Sequence, residues 1–555
     1  MVFARWRLFV ILSYGSRIKE GNEMLSLINE ALLRLSLRAE TMDRAHLVQT
    51  FVDVGPLFIR FSSRDHQILF GRRGTGKTHA LSYLADKVEK KGDISVQIDL
   101  RTIGSSGGIY SDPNIALTER ATRLLMDVLS SVHDKIRRSV ISRADEFDIS
   151  LIGPLLDQFA QSITQVVVVG EVERKRLTTD EETGGRDNEA RIEVAQKGLR
   201  AMVGEKTANH SLQRLEQTYI ETGKVRHRVH FGSVGNMLAE IQNCINPKSI
   251  WILLDEWSEV PHDLQPLLAD LLKRSVLPLV GVIVKIAAIE QRSYFRSVNE
   301  EGESIGIEVG ADVASVLSLD DFMVFNNDAE RSKEFFKNLL IKHVYSAWDS
   351  SDVSSFPNSP DILIQQAFTQ ITAFEEFVRA SEGVPRDAID IIGTAAEHAA
   401  ADRISVQHIC QAAKLRYQRG KEAAVTANPR AIALLRWIID RVIAHRRARA
   451  FLLRSDTQYL LIDMLFDARV LHVIKHGVSG RDEPGVRYDV YVIDFGCYVD
   501  LINTKSAPDG LFEADMGEGF AYSEVPQDDY RSIRRAILNL DEFWLDTAEH
   551  LSYLP

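Results

Sequence analysis

Short apolar runs alternate with stretches of helical spacing from residue 67 to about residue 320. The apolar segment 67–70 precedes an amphipathic helix from His79 to about Lys91, and Ile94 to Leu100 alternates as a second strand does. Helical spacing follows at 114–139 and 152–163. Three later apolar runs predict further strands, at 249–254, 277–288 and 314–319. Strands that alternate with helices are typical of a parallel α/β sheet with helices on its faces.

Helical spacing then continues without a strand, which predicts a separate all-α region. The helices expected there are Ala329–Ala347, Asp361–Ala380, Pro385–Ala401 and Ser405–Arg419. A third region combines helices and strands. Its helices are expected at Pro429–Ala444 and Thr457–Ala468, and its strands at Val470–Lys475 and Arg487–Phe495. Helices followed by a β-hairpin are typical of a winged-helix module.

The segment from Gly71 to Thr78 reads G-x-x-x-x-G-K-T and lies between the first apolar strand and the helix after it. This pattern predicts a phosphate-binding loop, because its glycines let backbone N–H groups point at phosphates and the helix N-terminus adds its positive dipole end. Lys77 is placed to pair with the phosphates, and the Thr78 hydroxyl to bind Mg²⁺. The residues predicted to bind the nucleotide are Gly71, Arg72, Arg73, Gly74, Thr75, Gly76, Lys77, Thr78 and His79. The alternative is a chance match in a turn. Just upstream, 46–52 is either a pocket for the base or a plain docking segment.

The apolar run at 249–254 ends in Asp255 and Glu256. Asp255 would hold the Mg²⁺ shell, and Glu256 would orient or deprotonate the water that attacks the γ-phosphate. Acidic residues often follow buried strands, so the pair takes its meaning from the phosphate-binding loop upstream. The two carboxylates favour hydrolysis over binding alone, and the lack of an N-K-x-D sequence favours ATP over GTP.

Composition limits the class of protein. With 555 residues, 45% hydrophobic and 26% charged, the chain fits an ordinary globular protein of two to four domains. A net charge of −12 argues against a protein that coats nucleic acid, although a local basic patch remains compatible with it. Three cysteines without paired spacing predict neither a disulfide framework nor a metal site. No apolar stretch reaches the length of a membrane span, and we expect a cytoplasmic protein without a membrane partner.

The order of these segments resembles an AAA+ ATPase of the origin-recognition type, particularly its bacterial and archaeal relatives with a C-terminal winged helix. The residues that carry the resemblance are Gly71–Thr78, Leu254–Asp255–Glu256 and Gly383–Val384–Pro385–Arg386. The resemblance covers about 40–500. It implies a helical lid whose Arg386 reaches the γ-phosphate from above. The alternative is an ordinary arginine in the first turn of a helix, behind Pro385.

The chain departs from the family pattern in two places. The family usually places an Asn or another small polar group after the fourth strand to hold the attacking water, whereas this chain has Ile289-Glu290-Gln291, with Gln291 as the candidate. The second departure is an insertion, whose charged tip at 171–191 is either solvated or a partner-binding element. The resemblance also implies a homo-oligomer in which an arginine acts in trans. Arg292 and Arg296 are the candidates, and each also suits an ordinary surface position.

We therefore predict a P-loop parallel-sheet core of the AAA+ type, followed by an all-α lid and a C-terminal winged-helix-like α+β domain. The expected parts are a helical extension at 1–40, the core at 41–325 with an insertion at about 142–230, the lid at 326–422, the winged-helix-like domain at 423–505, and an acidic tail with a C-terminal helix at 506–555. Met24 opens an amphipathic helix, so residues 1–23 are a candidate extension upstream of the natural start.

Basic residues in the third region are candidates for contact with DNA phosphates. They are Arg441, His445, Arg446, Arg447, Arg449 and Arg454. The expected recognition helix exposes Asp463 and Asp467, which the DNA backbone would repel, so base-specific reading is disfavoured. Non-specific DNA binding and a winged helix used for protein contact both stay open.

We predict an enzyme that binds and hydrolyses ATP with Mg²⁺ and couples its nucleotide state to assembly on, or remodelling of, DNA or a nucleoprotein or protein partner. A bacterial mobile element or phage defence would provide such a setting. One alternative is a signalling-type sensor ATPase with a separate protein effector. Another is a nucleotide-gated interaction switch with little turnover, which the missing Asn favours.

Overall fold

The computed structural model describes the chain in segments. The described residues are 25, 27–35, 42–53, 55–103, 108–164, 166–168, 173–177, 218–222, 225–227, 231–298, 302, 304–313, 315–323, 329–348, 356–444, 450–457, 459–479, 485–502 and 536–544. The chain divides into two compact units. The first comprises 1–87, 286–292 and 315–555, and the second comprises 88–285 and 293–314.

The strands in the described part of the chain are numbered in chain order. They are β1 Gln67–Phe70, β2 Ile94–Asp99, β3 Val166–Val168, β4 Glu173–Leu177, β5 Thr218–Thr222, β6 Val225–His227, β7 Ile250–Asp255, β8 Val282–Ala288, β9 Arg296–Val298, β10 Ser304–Gly306, β11 Ser315–Ser318, β12 Ala450–Arg454, β13 Leu471–Ser479 and β14 Arg487–Ile493.

The α-helices of the same residues are also numbered in chain order. They are α1 at 27–33, α2 Arg44–Thr50, α3 Pro56–Phe61, α4 Lys77–Glu89, α5 Leu117–Ser142, α6 Ile149–Thr164, α7 Phe231–Ile245, α8 Gln265–Ser275, α9 Asp320–Met323, α10 Ala329–Ala347, α11 Pro360–Ala367, α12 Ile371–Ala380, α13 Pro385–Ala399, α14 Val406–Arg416, α15 Glu422–Thr426, α16 Pro429–Trp437, α17 Leu460–Asp467 and α18 Phe495–Ile502. A π-helical turn, Tyr417–Lys421, joins α14 to α15, and a second, Ile438–Ala444, extends α16.

Five strands form the main sheet in the order β11-β1-β8-β7-β2. β1 pairs in parallel with β11, with Gln67 beside Ser315, and β2 pairs in parallel with β7, with Asp99 beside Asp255. Every residue of β7 and β8 is buried, as expected of strands covered on both faces. The parallel α/β sheet predicted from the sequence is confirmed.

Helices predominate in the first unit after β11, as the sequence predicts. A single helix was expected from Asp361 to Ala380. This prediction was wrong in one respect, because the segment is divided into α11 and α12. Phe368 leaves helical geometry to form a bridge with Ile404, and the Thr369 N–H donates to the Ile404 carbonyl (2.9 Å). A tertiary contact therefore interrupts a stretch whose local spacing is helical.

The elements β12, β13, β14, α16, α17 and α18 form what we call the C-terminal domain. Its strands make an antiparallel sheet in the order β12-β14-β13, and Leu434, Phe451 and Leu465 lie in its core. β12 and α18 were not predicted, and the last strand ends at Ile493 and not at the expected Phe495. The chain turns into α18 there because the Asp494 carboxylate accepts the Cys497 N–H (3.1 Å), as a helix-capping side chain does.

The second unit contains β2, β7, the start of β8 and the helices α5 to α8. The antiparallel pair β9–β10 was not predicted. α7 runs from Phe231 to Ile245. Gly235 lies within α7, and a Cβ added there would lie 3.2 Å from the Ser275 carbonyl oxygen. The glycine thus permits close packing of α7 on α8.

Several predicted segments lie wholly or partly outside the described residues. Within the expected insertion, the backbone forms two antiparallel pairs, β3–β6 and β4–β5, and most of the charged tip is among the undescribed positions. Also outside the described residues are 1–24, 445–449 and most of the acidic tail. Among the described residues, no helix has both the length and the apolar character needed to cross a membrane.

The hydrogen bonds of Asp93 allow a test of the packing in the second unit. It precedes β2, is 8% exposed, and accepts the Ser249 N–H and the Trp251 indole N–H (2.9 Å each). We expect Asp93→Ala to lower the free energy of unfolding by about 2–4 kcal/mol, because two buried donors lose their acceptor. Urea denaturation followed by tryptophan fluorescence measures the loss. Asp145→Ala removes an exposed carboxylate and should cost less than about 0.5 kcal/mol. Equal losses in the free energy of unfolding of the two variants would contradict the role of Asp93 as a buried hydrogen-bond acceptor.

Candidate functional site

The segment Gly71–Lys77 forms a closed loop between β1 and α4. The Gly71 N–H donates to the carbonyl of Ala288, the last residue of β8 (3.2 Å). Gly74 and Gly76 adopt φ of +88° and +93°, a region that glycine enters without strain. The Thr75 hydroxyl donates to the Arg72 carbonyl (2.8 Å), which closes the turn. The loop therefore has the backbone curl and the helix N-terminus that a phosphate site requires.

Lys77 lies inside this loop. It is 6% exposed, and its ammonium donates to the carbonyls of Gly71 (2.8 Å) and Arg72 (3.1 Å). A buried ammonium needs such partners, because a charge removed from water without them is costly. Thr78, the next residue, is half-buried, and Arg73 is exposed. The predicted phosphate-binding lysine is thus held at the first residues of the loop.

His79 connects α4 to the segment 46–52 upstream. Its ring Nε2 contacts the Leu47 carbonyl oxygen, and its ring lies edge-on to Phe51, with centroids 5.4 Å apart. Phe51 in turn stacks on Tyr83 at 4.1 Å. Burial lowers the pKa of His79, so the neutral ring is favoured. The segment is packed on α4, and a role for it in holding the base stays a prediction.

Arg72 was predicted to bind the nucleotide, and that role stays a prediction, but the sequence did not indicate the partners of its side chain. Its side chain is 6% exposed, and its Nε donates to Asp320 Oδ1 (2.7 Å) at the start of α9. Its backbone N–H donates to Asp320 Oδ2 (3.0 Å), and its Nη2 donates to the Glu382 carbonyl (2.7 Å). The partners lie 248 and 310 residues away along the chain. No local sequence pattern could have identified them.

The segment Gly383–Arg386, which we call the lid motif, contacts the loop directly. The Arg386 N–H donates to the Gly74 carbonyl (3.2 Å). A Cβ added to Gly74 would lie 2.9 Å from Arg386 Cβ and 3.0 Å from Val384 Cγ1. Pro385 occupies the first turn of α13, where its lack of an N–H costs nothing. The Arg386 backbone therefore contacts the loop within the first unit, and a contact of its guanidinium with the γ-phosphate stays a prediction.

A charged cluster follows the lid motif. Asp387 is buried, and its carboxylate lies 2.5 Å from Arg416, 3.1 Å from Lys421 and 3.1 Å from Arg469. Burial by itself would raise the pKa of Asp387, but these three cations hold that pKa well below its ordinary value. Lys421 also contacts the Asp494 carboxylate. The cluster fixes the start of α13 against the C-terminal domain.

Asp255 and Glu256 end β7 in the second unit. Asp255 is 2% exposed, and its Oδ1 accepts the Glu256 N–H (2.9 Å). Glu256 adopts a left-handed backbone with φ +56°, which non-glycine residues seldom do. Its carboxylate lies 3.7 Å from Arg101, which also makes a bidentate contact with Asp99 at the end of β2. The two predicted carboxylates are therefore held in fixed directions.

The remaining predicted residues lie at the ends of strands. Gln291, after β8, lines a cavity of about 550 Å³ together with Gly71 and Arg72. Arg292 pairs with Asp467 of α17 (2.6 Å). Arg296 donates to the Ser304 hydroxyl (2.6 Å) and lies 3.6 Å from Glu308. Both candidate trans arginines thus have partners within the chain.

The candidate DNA-binding surface is described only in part. Arg446, Arg447 and Arg449 are among the undescribed residues, and Arg454 pairs with Asp456 (2.8 Å). On α17, Asp463 is exposed as expected. Asp467, expected to be exposed as well, is instead partly covered by its pair with Arg292.

Comparison with known proteins gives a match to a family model and similarity to solved structures. A family model described as ORC-CDC6-like matches residues 35–373. Among solved structures, the chain is similar to the Aeropyrum pernix ORC1 protein in complex with DNA, at 13% identity and a TM-score of 0.29, over 86% of this chain and 96% of that chain. No curated protein matches the sequence significantly.

The contact between the loop and the lid motif can be tested by substitution of Gly74. We expect Gly74→Ala to lower the Tm more than Gly92→Ala, because both glycines have nearly the same φ (+88° and +89°) while only at Gly74 would the new Cβ meet another side chain within 3.0 Å. The loss in the free energy of unfolding should be larger at Gly74 than at Gly92 by about 1–3 kcal/mol, the usual cost of overpacking. Thermal unfolding measures it. Equal losses at the two glycines would show that the lid motif does not pack on the loop.

Proposed function

The chain belongs to the ORC-CDC6-like family, and on that premise we propose that it binds ATP with Mg²⁺, hydrolyses it to ADP and phosphate, and couples this cycle to contact with DNA. The observation that carries the proposal is the phosphate-binding loop. Gly74 and Gly76 adopt a positive φ, α4 begins at the end of the loop, and Lys77 is buried within it. Backbone N–H groups at a helix N-terminus attract phosphate oxygens.

Within this proposal, the lid motif completes the binding site for phosphate. Lys77 exchanges its two carbonyl partners for phosphate oxygens, a stronger charge-assisted contact. Arg386 contacts the γ-phosphate from the lid motif, whose backbone already touches Gly74. Thr75 closes the turn of the loop, and His79 fixes α4 against the upstream segment. Arg73, which is exposed, stays a predicted nucleotide contact.

We assign Mg²⁺ to the Thr78 hydroxyl and the Asp255 carboxylate, which are the oxygen ligands that this ion prefers. The fit is supported by Asp255, whose buried carboxylate is already fixed by the Glu256 N–H. Once bound, Mg²⁺ would neutralise charge on the phosphate oxygens.

Glu256 is the proposed general base, which takes a proton from the attacking water while Gln291 orients that water. Two observations support Glu256. Its left-handed backbone costs about 1–2 kcal/mol, and strain of this kind is concentrated at functional sites. Arg101 also restrains the direction of its carboxylate.

The DNA contact is proposed from the family and from the arginines Arg446, Arg447, Arg449 and Arg454, through phosphates rather than bases. The exposed carboxylate of Asp463 on α17 argues against base reading. Assembly through Arg292 or Arg296, a protein effector and a cytoplasmic location stay predictions. So do the mobile-element or phage-defence setting and the alternatives of a sensor ATPase or a switch with little turnover.

ATP binding and hydrolysis are tested with two variants. Lys77→Ala should weaken ATP binding at least about tenfold, because a buried charge-assisted contact contributes about 1.5–3 kcal/mol. Glu256→Gln should keep ATP affinity and lower kcat about 10²- to 10⁴-fold, the usual contribution of a general base. Titration of a fluorescent ATP analogue and release of phosphate measure the two effects.

The matched controls are Lys91→Ala, beyond the far end of α4, and Glu259→Gln, three residues after Glu256; both positions are exposed, and both variants should behave as the parent. Turnover that survives Glu256→Gln would refute the assignment of the base. Turnover is also measured with double-stranded DNA at low and high salt. Stimulation that disappears at high salt supports the phosphate contact, and turnover indifferent to DNA contradicts that part of the proposal.

A further inference from the structure

The lid motif is bracketed by two buried acidic residues, Glu382 and Asp387, which are 5% and 2% exposed. Both are bonded to the C-terminal domain. Glu382 Oε1 accepts the N–H of Phe495, the first residue of α18 (3.1 Å). Asp387 Oδ1 lies 3.1 Å from Arg469, between α17 and β13. The lid motif is thus fixed to the C-terminal domain on both sides.

Glu382 also faces the phosphate-binding loop. Its carbonyl accepts a hydrogen bond from Arg72 Nη2 (2.7 Å), while its carboxylate serves Phe495. Its backbone is left-handed, with φ +51°, and such a turn persists only where its surroundings hold it in place. One residue therefore connects the loop, through its backbone, to the first turn of α18, through its side chain.

The guanidinium of Arg72 cannot move independently of its partners. It is almost fully buried and bonds Asp320 and the Glu382 carbonyl at the same time. Loss of either bond would leave a buried charge short of partners, which is strongly unfavourable. A displacement of Arg72 therefore carries Asp320 and Glu382 with it. Because the Arg72 carbonyl accepts from Lys77 and Thr75, any rearrangement of these two residues around a phosphate acts on Arg72 directly.

We propose that Arg72 is a positioning residue that couples the phosphate-binding loop to the C-terminal domain through Glu382. Nucleotide in the loop and the placement of the C-terminal domain then depend on each other, and such coupling is reciprocal. The inference rests on the proposed binding of ATP by the loop. It adds a route by which the nucleotide state reaches the domain that carries the candidate DNA-binding arginines.

The test uses the full chain with two dyes, at Ile59→Cys in α3 and Leu460→Cys in α17, in a Cys244→Ser background. Each labelled position is 72% exposed. Energy transfer between the dyes is measured while a slowly hydrolysed ATP analogue with Mg²⁺ is titrated. The parent should bind the analogue and change its transfer efficiency.

Glu382→Ala should bind the analogue within about threefold of the parent but lose the change in transfer, because Phe495 loses its acceptor while Lys77 keeps its place. Glu382→Gln is the matched control, since its amide oxygen still accepts the Phe495 N–H, and it should respond as the parent does. Thermal unfolding of each variant shows whether it is folded.

Should Glu382→Ala fail to fold, Arg72→Lys decides the question. Lysine keeps the charge beside Asp320 but lacks the planar fork that reaches two partners at once. We expect at least fivefold weaker binding and no change in transfer at saturation. A full change at saturation in either Glu382→Ala or Arg72→Lys would overturn the coupling.

The parent protein separates this inference from the function on which it rests. A parent that binds no analogue contradicts the proposed function. A parent that binds the analogue with no change in transfer contradicts the coupling alone.

Discussion

The ion pair between Arg72 and Asp320, together with the bond from Arg72 to the Glu382 carbonyl, is the constraint on which the candidate site depends. A buried guanidinium must satisfy its donors within the protein. Here the partners come from the start of α9 and from the turn before the lid motif. The phosphate-binding loop is therefore held in place by long-range contacts, in addition to its own glycine turns.

The same requirement extends beyond the loop. Asp387, directly after the lid motif, is buried among Arg416, Lys421 and Arg469, and Asp494 shares Lys421. Removing one member of such a cluster leaves its partner as an unpaired buried charge. The resulting loss of stability is larger than the net stability that the pair contributes. The lid motif, α13 and the C-terminal domain are consequently fixed to each other by these charged contacts.

Local patterns were sufficient for the elements whose burial is uniform along the chain. The run before Asp255 and the G-x-x-x-x-G-K-T segment were identified because strand burial and loop geometry impose residue types at neighbouring positions. Elsewhere, tertiary contacts made the predictions from local sequence patterns wrong. The bridge from Phe368 to Ile404 divides a helix, and Asp494 caps α18 where the apolar pattern suggests a longer strand. The partners of Arg72 could not be predicted, because nothing near Arg72 in the sequence marks Asp320 or Glu382.

We infer that the loop at 71–78 and the turn at 382–387 respond to nucleotide as one unit. Hydrogen–deuterium exchange of the full chain, with and without a slowly hydrolysed ATP analogue and Mg²⁺, tests it most directly, because it follows backbone amides in both segments at once. We expect both segments to gain protection together over the same range of analogue concentration. Protection of the loop with exchange at 382–387 unchanged would contradict it.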